Sequence, residues 1–254
     1  MFISAKAFRA PCPADESCLS ANSEIFVLSG YSGAGKSTLC AKLDGMIING
    51  KPVALIRSVT SRAPRSENEN YTFVSAEEFE KLVRTNQLLE YNRNYNAAGY
   101  GTPLQDVLRA IREGKTPLLE IDRSGLQALL TEGKADPRRI KSAFLALPAQ
   151  PLAQRLWLRG TESHEAMIRR LNTAVEETDW LDLYDAVIVN HHIDRAVHGV
   201  TTAFRGDAVA SDFDTQAFRS EMREILSAWP AWVEKWQNQV NPDNTPERRH
   251  DYAR

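Results

Sequence analysis

The sequence predicts an α/β protein whose main layer is a five-stranded parallel sheet. Five short apolar runs recur along the chain, at residues 24–28, 53–56, 117–121, 143–147 and 186–189. They are nearly continuous in apolar residues rather than alternating. That composition suits strands covered on both faces, as parallel strands are. Helical patterns lie between most of them, at 37–44, 152–158 and 164–178. Alternation of strand and helix is the signature of a layered α/β fold. A chain of 254 residues is also long enough for such a layer to bury a substantial core.

Taken in order, residues 1–23 contain Pro11, Pro13 and several serines with no sustained periodicity, which predicts a flexible N-terminal arm. The first strand run then ends in a Gly/Ser cluster. The stretch 58–115 breaks the alternation. Ser75 to Glu78 reads as a capping box, with Val74 and Phe79 placed as a hydrophobic staple, and opens a helix to about Thr85. Thr102-Pro103-Leu104-Gln105 reads as a second box with proline at the first helical position, opening a helix that ends near Gly114. Residues 71–74 and 88–91 read as short strands. Together these predict a small α+β insert on the main sheet. Residues 201–254 form a C-terminal extension. Trp229, Trp232 and Trp236 are spaced by three and four, which sets them on one helical face, with Pro230 near a helix start or a kink. Packing of that face on the main domain is favoured, and a dimer interface or a partner site is left open. Residues 241–254 are polar and expected to fray.

Composition excludes several classes. With 31 Lys+Arg against 33 Asp+Glu the formal charge is −2, so the chain is not a strongly basic nucleic-acid wrapper. Its 43% hydrophobic and 25% charged residues are those of a globular protein, not a disordered one. Cys12, Cys18 and Cys40 lack metal spacing and are odd in number, which points to a reducing, cytoplasmic setting. Lys6 and Arg9 interrupt the start before an apolar run builds, so no signal peptide is expected there. No run approaches the roughly 18 apolar residues of a membrane span. The expected partners are therefore small molecules, not nucleic acid or membrane. Monomer and homodimer both remain open.

The most specific local signal is Gly30-Tyr31-Ser32-Gly33-Ala34-Gly35-Lys36-Ser37, followed by Thr38. It fits G-x-x-x-x-G-K-[ST] between an expected strand and an expected helix. Glycines let the backbone turn tightly and aim successive N–H groups at phosphate oxygens, and the helix N-terminus adds its positive end. Lys36 is placed to reach the β- and γ-phosphates, and the Ser37 hydroxyl to hold Mg²⁺. This predicts a P-loop NTPase fold that binds ATP. It says nothing of the acceptor.

The acceptor enters through resemblance. Ser58-Val59-Thr60-Ser61-Arg62-Ala63-Pro64-Arg65 followed by Tyr71-Thr72-Phe73-Val74-Ser75 resembles the GMP-binding signature of the guanylate kinase family. Leu89-Glu90-Tyr91 resembles its "LEW" segment, Tyr100-Gly101-Thr102-Pro103 its "YGTP" and Leu119-Glu120-Ile121-Asp122 its "LEID". Arg159-Gly160-Thr161-Glu162-Ser163 resembles its "RGT" lid, Arg169-Arg170-Leu171 a later lid piece, and Val189-Asn190 its "VN". The series is collinear over residues 24–200, with the nucleoside monophosphate insert at 58–115 and a helical lid at 150–172.

The resemblance implies transfer of the ATP γ-phosphoryl group to GMP or dGMP, with Mg²⁺ as cofactor. It implies that Ser58, Arg62, Arg65, Tyr71, Glu90, Tyr100, Thr102 and Asp122 hold the acceptor. Asn190 joins the phosphate loop at the ATP site, and Lys36, Arg62, Arg159 and Arg170 act on the transferring group. Residue chemistry agrees at two points. Arg62 and Arg65, three apart across Ala-Pro, suit a fork around one phosphate dianion. Glu90, a carboxylate at the end of an apolar strand, matches the N1–H and N2–H donor pair of guanine, which adenine lacks. The loops at 66–70 and 92–99 depart from the family pattern, so a modified purine nucleotide or a sugar phosphate stays open as an alternative acceptor. A non-catalytic binding module is the remaining alternative, and the intact Gly35-Lys36-Ser37 argues against it. His191 and His192 stand where the family has two aspartates, and read as solvated loop residues.

Overall fold

The structure is a computed structural model that describes residues 23–64, 70–93, 98–132, 134–158 and 163–240, with side chains to 236. Its elements in chain order are β1 (Ile25–Gly30), α1 (Lys36–Leu43), β2 (Ile47–Ile48), β3 (Lys51–Ile56), β4 (Ser58–Thr60), β5 (Tyr71–Phe73), α2 (Ala76–Arg84), β6 (Leu88–Arg93) and β7 (Gly99–Pro103). Then follow α3 (Leu104–Arg112), β8 (Thr116–Glu120), α4 (Arg123–Thr131), β9 (Ile140–Ala146), α5 (Ala149–Leu158), α6 (His164–Glu177), β10 (Ala186–Val189), α7 (Ile193–Arg205), α8 (Thr215–Ser227) and α9 (Trp229–Val240).

The main sheet runs β10-β9-β1-β8-β3-β2. Its first five strands pair in parallel, as the apolar runs predict. The two-residue β2 adds an antiparallel edge to β3, an addition to the five-stranded expectation. β1 lies inside the sheet, with Phe26, Val27 and Leu28 fully buried. Phe26 stacks on Phe204 of α7 with ring centroids 4.4 Å apart, which pins that helix to the central strand.

The insert is built on a second sheet, β5-β4-β7-β6, which has its own small core of Val59, Phe79 and Leu88. α2 begins as its sequence dictates. The Ser75 hydroxyl accepts the Glu78 N–H at 3.0 Å, and the Glu78 carboxylate accepts the Ser75 N–H at 2.8 Å. These bonds hold Glu78 below its ordinary carboxylate range. Val74 and Phe79 pack in the same cluster. Ser75→Ala is expected to cost about 1 kcal/mol and to lower Tm by about 3 °C in a thermal melt, because the Glu78 N–H loses its acceptor.

The second box is corrected. α3 has Pro103 at its N-cap with no side-chain cap, and Thr102 belongs to β7. The Thr102 hydroxyl instead donates to Glu90 Oε1 at 2.6 Å. Pairing of β7 with β6 keeps Thr102 extended, and a buried carboxylate needs that donor more than an accessible helix end does. Elements absent from the sequence reading also carry local signals. α4 is capped by Asp122, whose Oδ1 accepts the Gly125 N–H at 2.9 Å. α7 stops at Gly206, which takes φ +90°. α8 is capped by Asp214.

The C-terminal helices pack on the main domain. Trp229 is 2% exposed, and its indole N–H donates to His164 Nδ1 at 3.2 Å. Trp236 meets Trp157 of α5 edge-on at 5.3 Å. Pro230 is the second residue of α9, where its missing N–H is harmless. Among the described residues no helix is long and apolar enough to cross a membrane. The expectations for residues 1–22 and 241–254 lie outside the described residues.

Candidate active site

The glycine-rich loop leaves the C-terminal end of β1 and enters α1, the position at which open α/β sheets present their ligand crevice. Gly35 takes φ +95°, and a Cβ there would stand 2.8 Å from Asn190 Nδ2. Gly30 is equally constrained, since its Cβ would meet the Leu145 carbonyl oxygen at 2.3 Å. Gly35→Ala is therefore expected to weaken ADP binding about tenfold or more, read by calorimetry. The loop is tied at both flanks. Tyr31 N–H donates to the Leu145 carbonyl at 3.2 Å, and Asn190 Nδ2 donates to the Ala34 carbonyl at 2.7 Å. Lys36 folds back over the loop, its Nζ donating to the carbonyls of Gly30 at 2.8 Å and Tyr31 at 3.1 Å. Arg170 reaches in from α6 and donates to the Ser32 hydroxyl. Thr38 is exposed in the first turn of α1.

Across the cleft stands the insert. A cavity of about 220 Å³ separates Gly30 and Lys36 on one wall from Ser58, Glu90, Asn92 and Tyr100 on the other. Glu90 is 2% exposed, and burial pushes its carboxyl up to about 7, against the pull of the Thr102 hydrogen bond. Gly125 makes room for it, because a Cβ there would come within 2.8 Å of Glu90 Oε2. Arg62 donates through Nε to the Tyr100 hydroxyl at 3.1 Å, and its guanidinium lies 5.6 Å from the Tyr71 ring centroid. Tyr71 and Tyr100 meet edge-on at 6.0 Å. Arg62, Tyr71 and Tyr100 thus form one cluster, while Ser58, Glu90 and Thr102 form a buried polar wall. Asp122 caps α4 and accepts the Asn92 amide on both oxygens, at 2.8 and 2.9 Å. Arg65 and Arg159 lie outside the described residues.

Three residues near the site escaped the sequence reading. Glu120 ends β8 beside β1, and its Oε1 accepts the Ser37 hydroxyl at 3.1 Å. An acid ending a strand next to a phosphate loop was a usable signal. Arg155 of α5 lies 3.5 Å from the carbonyls of both Ala34 and Asn190. Asn92 has no signal in its neighbours, because its partner Asp122 is thirty positions away. Ser37 and Glu120 together offer hard oxygen donors of the kind Mg²⁺ takes alongside substrate phosphates. Among the described residues no group of three or more His, Cys, Asp or Glu could hold a metal. His191 and His192 are exposed.

A tied glycine loop between central strand and helix, faced by an insert with a buried carboxylate, defines a P-loop protein of the nucleotide-kinase class. Comparison with known proteins narrows the class. The model of the family described as "Guanylate kinase" matches residues 22–207, and the chain belongs to that family. It is 36% identical over 179 residues to the "Guanylate kinase" of Caldanaerobacter subterraneus subsp. tengcongensis, covering 69% of this chain and 84% of that one. It is 30% identical over 207 residues to the "Guanylate kinase" of Haemophilus influenzae, covering 80% of this chain and 97% of that one. The solved structure of guanylate kinase from Anaplasma phagocytophilum superposes with TM-score 0.53 at 24% identity, over 84% of this chain and 98% of that one, a likeness of fold.

Proposed function

We propose that this protein transfers the γ-phosphoryl group of ATP to GMP or dGMP, giving ADP and GDP or dGDP. The observation that carries the reading is Glu90, a buried carboxylate facing the phosphate loop across one cleft, in a chain of the guanylate kinase family. Guanine presents N1–H and N2–H side by side, and an ionised carboxylate accepts both. Adenine presents an acceptor at N1 and would leave Glu90 desolvated and unpaired.

Each group then has a task. Backbone N–H groups of residues 30–37 cradle the ATP phosphates, and Lys36 leaves its carbonyl partners for the β- and γ-oxygens. Arg62, Tyr71 and Tyr100 hold the acceptor phosphate, with Arg65 completing the fork. Ser58 and Thr102 line the base, and Asp122 fixes the pocket wall through Asn92. Ser37 and Glu120 would hold Mg²⁺, which would supply neutralisation of phosphate charge. An oxygen of the GMP phosphate forms the new bond to the γ-phosphorus as the bond to the β–γ bridging oxygen breaks, and ADP carries away the electron pair. The acceptor is already an anion, so no general base is needed. Arg170, with Arg159 from the lid, neutralises charge on the equatorial oxygens.

A coupled ADP-release assay with GMP, dGMP, AMP, CMP, UMP and ribose 5-phosphate tests the assignment. GMP and dGMP are expected to exceed the others in kcat/KM by about 10³-fold or more. A ribose 5-phosphate rate above that of GMP would move the site to a sugar-phosphate acceptor.

A further inference from the structure

The family match ends at residue 207, and the helices beyond it reach the phosphate loop. Tyr31, the second residue of that loop, is fully buried. Its ring stacks on Phe218 of α8 with centroids 5.1 Å apart and planes at 10°. It meets Phe144 of β9 edge-on at 4.9 Å, and Phe213 lies tilted at 6.1 Å. The main chain of Tyr31 is a junction of the loop. Its N–H donates to Leu145, and its carbonyl accepts both the Ala34 N–H at 3.0 Å and the Lys36 ammonium at 3.1 Å. Three packed rings fix the Tyr31 side chain in one rotamer, and with it the backbone that carries this carbonyl.

The same helices also contact α5 and α6. Arg219, next to Phe218, donates Nε to the Thr178 hydroxyl at 2.6 Å and pairs with Asp179, just past the C-terminal end of α6. At the other end of α6, His164 accepts the Trp229 indole N–H. Trp236 rests on Trp157 of α5. The extension therefore touches the loop, both ends of α6, and α5.

We propose that Phe218 is a positioning residue for the phosphate loop, acting through Tyr31 on Lys36. A glycine-rich loop has little stiffness of its own, and an error of about 1 Å in placing a reacting group costs about 10²-fold in rate. An aromatic anchor supplied from outside the matched region answers that need. The inference rests on the phosphoryl-transfer reading above.

The test uses the full chain carrying Phe218→Ala. The expected result is a kcat/KM for ATP lowered about tenfold or more, with the KM for GMP within about twofold of wild type. Phe218→Tyr, which keeps the ring, is expected to recover most of the loss. Val200→Ala makes a buried cavity in α7 away from the loop, and is expected to lower Tm without changing the KM for ATP. Unchanged ATP constants in Phe218→Ala overturn the proposal, as does an equal ATP defect in Val200→Ala. Phe218→Leu replaces Phe218→Ala if the latter does not fold, with the same outcomes. ADP binding by calorimetry separates this inference from the functional reading. If the wild type fails to phosphorylate GMP, ADP affinity weakened about tenfold in the variant still supports the anchor, and unchanged affinity removes it.

Discussion

Lys36→Met is expected to lower the turnover of GMP phosphorylation by about 10³-fold while leaving the fold intact. The estimate follows from the effect of removing one preorganised donor from a dry site that stabilises developing charge. Methionine keeps the length and apolar stem of lysine and removes only the ammonium. In the structure that ammonium is occupied by the carbonyls of Gly30 and Tyr31. Gly30 and Lys36 line the cleft, where water can take the place of the ammonium, so Tm is expected to move by no more than a few degrees. Lys36→Arg is not a rescue, because a planar fork cannot occupy a pocket shaped for a point charge. Steady-state rates with saturating ATP and GMP check the expectation. A loss below about tenfold would remove Lys36 from the transfer step.

Glu90→Gln carries the second large effect, and it separates activity from stability. The amide offers one acceptor where guanine needs two, and turns a donor toward a donor. The kcat/KM for GMP is expected to fall about 10³-fold, with AMP little affected. In the wild type the carboxyl titrates at about 7 because it is buried, with Asp122 and Glu132 pushing in the same direction. GMP requires the ionised form, so kcat/KM should fall about tenfold per pH unit below that point. The variant should lack this limb and keep only the titration of the acceptor phosphate near pH 6.

Stability runs the other way. The folded carboxyl holds its proton more tightly than the ordinary value of 4.5. Its contribution is therefore fully present below about 4.5 and is lost as pH rises through about 7. At pH 8 the wild type carries a penalty of a few kcal/mol that glutamine does not, at about 1.4 kcal/mol per pH unit. Glu90→Gln should thus melt higher than wild type at pH 8, with the gap closing toward pH 5. Glu177, also raised to about 7 by burial, titrates in both proteins and cancels in the comparison. A Tm gap independent of pH would contradict the burial of a charged Glu90.

What the sequence made legible was whatever local chemistry determines. The five parallel strands are continuous apolar runs, and the phosphate loop and the Ser75 cap are fixed within eight residues of chain. What it hid depends on contacts far apart in sequence. Thr102 obeys every local rule for a helix cap, yet serves Glu90 because strand pairing brings that carboxylate beside it. The three-residue β4 has no periodicity to read and exists because β5 and β7 flank it. The resemblance implies that Asp122 holds the acceptor, and nothing in its neighbours in sequence shows that its oxygens are shared between a helix cap and Asn92. The tryptophan spacing of the tail predicted a buried face. The stacking of Phe218 on the phosphate loop could not be read from spacing, because 187 positions separate it from Tyr31.

The most direct measurement is a crystal structure of the protein with GMP and a non-hydrolysable ATP analogue. Guanine N1 and N2 should each lie within about 3.2 Å of a Glu90 carboxylate oxygen, with the analogue's phosphates on the N–H groups of residues 30–37. A guanine ring bound with Glu90 beyond hydrogen-bond reach of every ring or exocyclic nitrogen would contradict the account.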